Sequence, residues 1–213
     1  MIIPISGIEI NIDPTALIVK SQHPMQAISS GLINGGIRET RSIINLHVDK
    51  GYDSSDPVAD FMNLVKDRGY PVPFIGMMTA AYVSEASEAH FEMNGLTVAA
   101  ITTAGLSNSA AAGLSLPIKL RPGTINTILL VDGRLSSAAM INAVMTATEA
   151  KTAALHEAGK KTQDGYPVTG TTTDSIVVAC TGRGDLLPYA GTATPIGYLI
   201  GRAVRAALKA HLS

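Results

Sequence analysis

The feature that most restricts the folds open to this chain is a run of 26 residues, 93–118, that carries no charge. A membrane-spanning helix needs about 20 predominantly apolar residues. This run does not qualify, because Asn94, Gly95, Thr102, Thr103, Gly105, Ser107, Asn108, Ser109, Gly113 and Pro117 interrupt it. What fits is an apolar strand over 96–103 that runs into a Gly- and Ser-rich turn over 104–113. The run is the extreme of a general trend. Only 15% of the 213 residues are charged and 46% are hydrophobic, whereas soluble proteins usually carry about 25% charge. Serine and threonine together number 35 and replace part of the missing charge with neutral hydroxyls. Such a surface suits a chain that covers itself with a large, mostly uncharged ligand or with further copies of itself, as a homo-oligomer.

Several classes are excluded. Disordered chains combine few apolar residues with high net charge, and here 16 basic residues against 17 acidic ones leave a net charge of −1. Nucleic-acid binding needs a basic surplus to neutralise phosphates. No nucleic acid and no membrane are therefore expected as partners. A single cysteine, Cys180, makes neither an internal disulfide nor a cysteine-based zinc site, and it reads as a core residue. The five histidines show no metal-ligand spacing, so no metal site is expected. The opening MIIPISGIEINID has no basic start and no long apolar stretch, and a soluble cytoplasmic protein is expected.

The pattern predicts an α/β or α+β fold, a single domain over 1–213 with one mixed β-sheet flanked by helices. Residues 8–13 alternate apolar and polar, and with 16–20 they predict an N-terminal hairpin at about 8–20. Strands are expected over 42–48, 74–81, 96–103, 124–131 and 174–180, with turns at Asn34-Gly35-Gly36 and Pro122-Gly123. Helices are expected after Asp56-Pro57, over 136–158 and over 195–211, the first two capped by Asp56 and by Ser136 or Ser137. A further helix is expected over 84–93, with Glu85, Glu88 and Glu92 on one face.

Standard catalytic signatures are absent: no nucleophile elbow, no phosphate loop, no dinucleotide fingerprint and no paired metalloprotease histidines. The candidates are neutral loops at strand ends, where α/β sites commonly lie. Thr102-Thr103-Ala104-Gly105-Leu106-Ser107-Asn108 offers N–H groups, hydroxyls and an amide that can hold an oxyanion, or simply satisfy a tight turn. Gly170-Thr171-Thr172-Thr173-Asp174 places three hydroxyls before a carboxylate. Thr172 is a candidate nucleophile only if a base activates it, and Asp174 is either that base or a turn cap. Glu149 shares a helical face with Asn142, Met145, Thr152 and His156; it is a candidate base, or part of a solvated face. His90, beside Glu88 and Glu92, is a candidate acid. Arg38 and Arg41 follow the Asn34 turn and can clamp an anion or make surface ion pairs.

Four blocks, TAGLSN (103–108), PGTIN (122–126), TEAK (148–151) and GTTTD (170–174), occur in this order and spacing. Together they resemble the adenosylcobinamide amidohydrolase family of corrinoid-salvage enzymes, and the likeness covers nearly the whole chain. The resemblance implies hydrolysis of the amide that joins a corrin side chain to aminopropanol, giving adenosylcobyric acid and 1-aminopropan-2-ol. It implies a corrinoid substrate and no cofactor, cobalt entering only as part of the substrate. Glu149 or Asp174 is then the expected base and His90 the expected acid, with the turn from Thr103 to Asn108 donating to the oxyanion. Thr103, Ser107, Asn108, Asn126, Thr171, Thr173, Asn34 and Arg41 are the expected substrate-binding groups. The rival readings are a corrinoid- or tetrapyrrole-binding protein without catalysis, an amidase for another small molecule, and an assembly protein whose low charge reflects oligomer contacts.

Overall fold

The computed structural model describes residues 1–116 and 123–212. Its strands, among the described residues, are β1 (Ile8–Ile12), β2 (Ala16–Ser29), β3 (Gly36–His47), β4 (Phe74–Thr79), β5 (Ser87–Met93), β6 (Leu96–Ala104), β7 (Ser109–Ala110), β8 (Ile125–Asp132), β9 (Arg134–Leu135), β10 (Gly170–Thr171), β11 (Ser175–Cys180) and β12 (Leu186–Leu187). Its centre is a mixed sheet in the order β4-β3-β2-β11-β8-β6-β5, with β1 paired to β2. β1 and β2 form an antiparallel hairpin. Asp13 closes it by accepting the amides of Thr15 at 2.7 Å and Ala16 at 2.9 Å. β2 continues well past Lys20, and a register shift between Lys20 and Met25 bends it where it pairs with β3. β3 is joined in parallel by β4. On the other side β11 runs antiparallel to β2 and parallel to β8. β6 and β5 follow antiparallel.

The bend in β2 curls the sheet until its two halves face each other. Leu17, Ile43, Met77, Ile101, Ile128 and Val177 fill the space between them, all 1% exposed or less. At one end the filling turns polar: the Asn126 side chain of β8 reaches the Met78 carbonyl of β4 at 2.9 Å. The outer face of β6, β8 and β11 is covered by α2 (Ser137–Glu157) and α3 (Pro195–Lys209), which bury Val98, Leu129 and Val178. α1 (Pro57–Arg68) covers the outer face of β2, β3 and β4 through Phe61 and Val65. The caps expected at Asp56 and Ser136 form, and Thr194 caps α3 in the same way. Asp56, Ser136 and Thr194 each accept the amide three residues on at 3.0 Å, and Gly69, with φ 62, ends α1. No helix among the described residues is long and apolar enough to cross a membrane.

The mixed sheet flanked by helices agrees with the expected fold class, but one element differs. Residues 84–93 do not form a helix. A single 3-10 turn, Val83–Glu85, is followed by β5, and Asn94 (φ 52) with Gly95 (φ 76) turns that strand back into β6. Glu85, Glu88 and Glu92 therefore do not share a helical face. Two consecutive positive φ values suit the tight hairpin turn that Asn-Gly favours. Ala89 and Phe91 pack toward α3 while Glu88, His90 and Glu92 alternate to the other side. Of the expected Pro122-Gly123 turn, Pro122 lies outside the described residues.

Candidate functional site

The two neutral loops singled out by composition are joined in the fold. β7 (Ser109–Ala110) pairs antiparallel with β10 (Gly170–Thr171). The Asn108 side-chain amide donates to the Thr172 hydroxyl at 2.7 Å. The hydroxyl of Thr173 donates to the Gly123 carbonyl at 2.7 Å, and Thr124 returns a bond from its own hydroxyl to the Thr173 carbonyl at 2.8 Å. Gly123 has to be glycine for this meeting. A Cβ there would come within 2.6 Å of both the Asn108 and Ser107 side-chain oxygens.

Beside this junction lies a cleft of about 690 Å³, within the roughly 300–1,000 Å³ usual for ligand sites. Residues 30–33, 48–54, 76–80, 123–124 and 173–175 line it. It runs along β4, the edge strand of the sheet, and is closed at one side by the starts of β8 and β11. Its walls are mostly backbone, small hydroxyls and apolar side chains. On its rim Tyr52 donates to Asp60 at 2.8 Å. Burial first, and then this bond to a carboxylate, pushes the Tyr52 phenol up. Hydrogen bonds from Ser54 and Tyr52 hold Asp60 below the usual carboxylate range.

Two polar networks stand behind the cleft. The first crosses the buried end of the curled sheet. Asn126 donates to the side-chain oxygen of Asn45 at 2.8 Å, Asn45 donates to the Thr103 hydroxyl at 3.0 Å, and the Thr124 hydroxyl lies 3.2 Å from the side-chain oxygen of Asn126. All four are at most 4% exposed, so each amide needs its partner to offset desolvation. The second centres on Asp174. One carboxylate oxygen accepts the amides of Ile125 and Thr171, each at 3.1 Å, and the Thr171 hydroxyl. The other is ion-paired to Lys151 of α2. Gly170 leaves room for the pair: a Cβ would fall 2.3 Å from the Asp174 oxygen and 2.6 Å from the Lys151 nitrogen. With three donors on one oxygen and Lys151 on the other, Asp174 holds the β8 and β11 starts in place.

The remaining sequence candidates are distributed as follows. Thr103, Asn126 and Thr171 belong to the networks behind the cleft, and Thr173 lines it. Thr172 and Ser107 are exposed at the loop junction, and Asn108 is buried there. The Gly105 amide, a candidate oxyanion donor, is already given to the Thr124 carbonyl at 2.9 Å. Asn34 adopts φ 53 and ties its turn to β4 through the Phe74 carbonyl at 3.1 Å, next to the cleft-lining Ile33. Three candidates lie elsewhere. Glu149 is exposed on the solvent side of α2. Arg41 is exposed on β3 and is not part of the cleft wall. His90 sits on β5, at the sheet edge opposite β4, with Nδ1 2.8 Å from Glu88. Sequence reasoning did not single out Asn45, Thr124 or Lys151. Thr124 and Lys151 stand inside the PGTIN and TEAK blocks, and Asn45 was visible as a lone amide inside an apolar strand. Among the described residues no three His, Cys, Asp or Glu side chains gather as a metal site.

Comparison with known proteins gives a consistent result. Residues 2–213 match the family model described as adenosylcobinamide amidohydrolase. The chain is 32% identical over 211 residues to the adenosylcobinamide amidohydrolase of Methanosarcina mazei, covering 95% of this chain and 96% of that one. A protein of the same name from Halobacterium salinarum is 43% identical over 122 residues, 54% of this chain and 50% of its own. Among solved structures, the PH0078 protein of Pyrococcus horikoshii overlaps 94% of this chain and 81% of its own with a TM-score of 0.49 at 13% identity.

Proposed function

The chain belongs to the adenosylcobinamide amidohydrolase family, and on that footing we propose that it hydrolyses the amide between the corrin side chain and aminopropanol of adenosylcobinamide. The products are adenosylcobyric acid and 1-aminopropan-2-ol, a corrinoid-salvage step. The observation that carries the reading is the match over essentially the full length of the chain, at 32% identity to a relative it covers almost completely. The cleft supports it in kind. Its volume of about 690 Å³ suits one side chain and its amide, with the ring system resting against the mouth. The hydroxyls of Ser30, Ser54, Thr79, Thr124, Thr173 and Ser175 in its lining match a ligand whose edge carries amides.

Amide hydrolysis needs three services from the protein: an acceptor for a proton of the attacking water, donors for the oxyanion, and a proton for the leaving amine. In this reading Gly123, Thr124 and Thr173, which line the cleft, face the scissile amide, and the turn ending at Asn108 supports them through its bond to Thr172. The Lys151–Asp174 pair and the Asn45–Asn126 network keep these residues rigid. The enzyme works in the cytoplasm and takes no cofactor; the cobalt of the reaction belongs to the substrate. Low overall charge leaves surface for a homo-oligomer contact.

The test is incubation of the purified chain with adenosylcobinamide and mass analysis of the products. Release of 1-aminopropan-2-ol with adenosylcobyric acid is expected. A corrinoid spectral shift with no amine released would instead identify a binding protein. Turnover of simple amides with adenosylcobinamide left intact would identify a different amidase.

A further inference from the structure

The carboxylates first considered for proton transfer are poorly placed for it. Glu149 faces solvent on α2, and the Asp174 carboxylate already accepts four donors. Asp49 and Asp53 lie on the cleft rim but are exposed there. The reaction needs one group that takes a proton from water and returns it to the leaving nitrogen, and a neutral imidazole does both through a single ring nitrogen.

Four of the five histidines are out of reach or engaged. His23 is exposed in the bulged stretch of β2, and His156 is exposed in the last turn of α2. His90 is bound to Glu88 on the far sheet edge. His211 holds Nε2 on the Thr102 carbonyl at 3.1 Å just past the end of α3, and neither it nor its chain neighbour Ala210 lines the cleft. The fifth, His47, is the last residue of β3; it does not itself line the cleft, but the next residue, Val48, does. Thr79, the register partner of His47, also lines the cleft, as does Ala80, and the Val48 amide bonds the Thr79 carbonyl at 2.8 Å. His47 lies on the same face of β3 as Asn45, two residues earlier, whose side chain leads into the Asn126–Thr124 network.

The ring is also oriented. Nδ1 is 3.0 Å from the Ala81 carbonyl, and a carbonyl only accepts, so Nδ1 carries the hydrogen. Nε2 is then the acceptor nitrogen, and no described residue bonds it. Tyr82 flanks the ring with centroids 5.1 Å apart. A histidine whose Nδ1 is pinned to a carbonyl, leaving Nε2 available, has the tautomer and the hold that a general base requires.

We propose that His47 is the proton-transfer residue of this hydrolysis, an inference that rests on the amidohydrolase reading. Nε2 takes a proton from a water molecule as the water oxygen bonds to the amide carbon and the carbonyl electron pair moves onto oxygen. When the tetrahedral centre collapses, the carbon–nitrogen bond breaks with its electron pair, and the imidazolium returns the proton to that nitrogen. The products are the carboxylic acid and the free amine, and the imidazole is restored.

Two variants test it with adenosylcobinamide as substrate. His47→Asn keeps a donor at the reach of Nδ1 for the Ala81 carbonyl and removes Nε2. The expected result is a fall in kcat of roughly 100- to 10,000-fold, with KM changed little and the thermal midpoint retained. In His47→Ala, added imidazole is expected to restore part of the lost turnover. Normal turnover in His47→Asn overturns the proposal, and so does a loss of activity in His47→Ala that imidazole leaves unchanged. Both comparisons require an active wild-type enzyme. An inactive wild type would refute the amidohydrolase reading itself, which separates the two failures.

Discussion

Replacing Asp174 and Lys151 singly and together separates two roles for that carboxylate. The ion pair is largely buried, with side-chain exposures of 14% for Lys151 and 18% for Asp174. Asp174→Ala removes the acceptor for Lys151, for the amides of Ile125 and Thr171, and for the Thr171 hydroxyl. Breaking a buried pair from one side costs about 3–5 kcal/mol. For a chain of this length each kcal/mol moves the midpoint roughly 2–4 °C, so a drop of about 10 °C is expected in thermal unfolding followed by circular dichroism. Lys151→Met should cost less, about 2 kcal/mol, because three donors still hold the carboxylate. Asp174→Asn keeps one acceptor oxygen but turns an amide N–H₂ toward the Lys151 ammonium. Adding Lys151→Met to it removes that opposition, so the double variant should be more stable and more active than Asp174→Asn alone. That ordering is the critical point. If Asp174 were the base, the double variant would be as inactive as the single one. Equal loss of turnover in both, or Asp174→Ala within about 1 kcal/mol of wild type, would refute the positioning role.

Other outcomes follow from the same placements. Glu149→Gln, on the exposed side of α2, should leave turnover and stability near wild type, as surface changes usually stay within about 0.5 kcal/mol; a loss of more than tenfold in kcat would return Glu149 to the reaction. Burial pushes the Cys180 thiol up to about 12, so iodoacetamide should modify it only after unfolding, and rapid labelling of the native chain at pH 8 would contradict its placement in the core.

The parts of the fold set by local chemistry were legible in the sequence. Asp56-Pro57, Ser136 and Thr194 start helices for reasons contained within four residues. At 84–93 the spacing of three glutamates favours a helix, but a stronger local signal overrides it. Asn94-Gly95 is a hairpin turn, and Ala89 and Phe91 alternate with Glu88, His90 and Glu92 at the period of a strand. The two neutral loops, legible as small polar segments at strand ends, meet in the fold through the β7–β10 pair and the Asn108–Thr172 bond. Which side chains act there depends on distant partners. Glu149 and Lys151 are two residues apart, which on a helix places them about 200° apart around the axis. One therefore faces solvent while the other reaches Asp174. Asn45 and Asn126 are 81 residues apart in sequence and meet only because β2 bends and the sheet curls. His47 reads in sequence as an ordinary strand end, and only the Ala81 carbonyl and the neighbouring cleft wall distinguish it.

The most direct test of the central claim, water-driven cleavage of the corrin side-chain amide, is the reaction of wild-type enzyme with adenosylcobinamide in heavy-oxygen water, followed by mass analysis of both products. The account predicts equal amounts of adenosylcobyric acid and 1-aminopropan-2-ol, with one heavy oxygen in the new carboxyl group and none in the amino alcohol. Intact adenosylcobinamide, or an amino alcohol that carries the label, would contradict it.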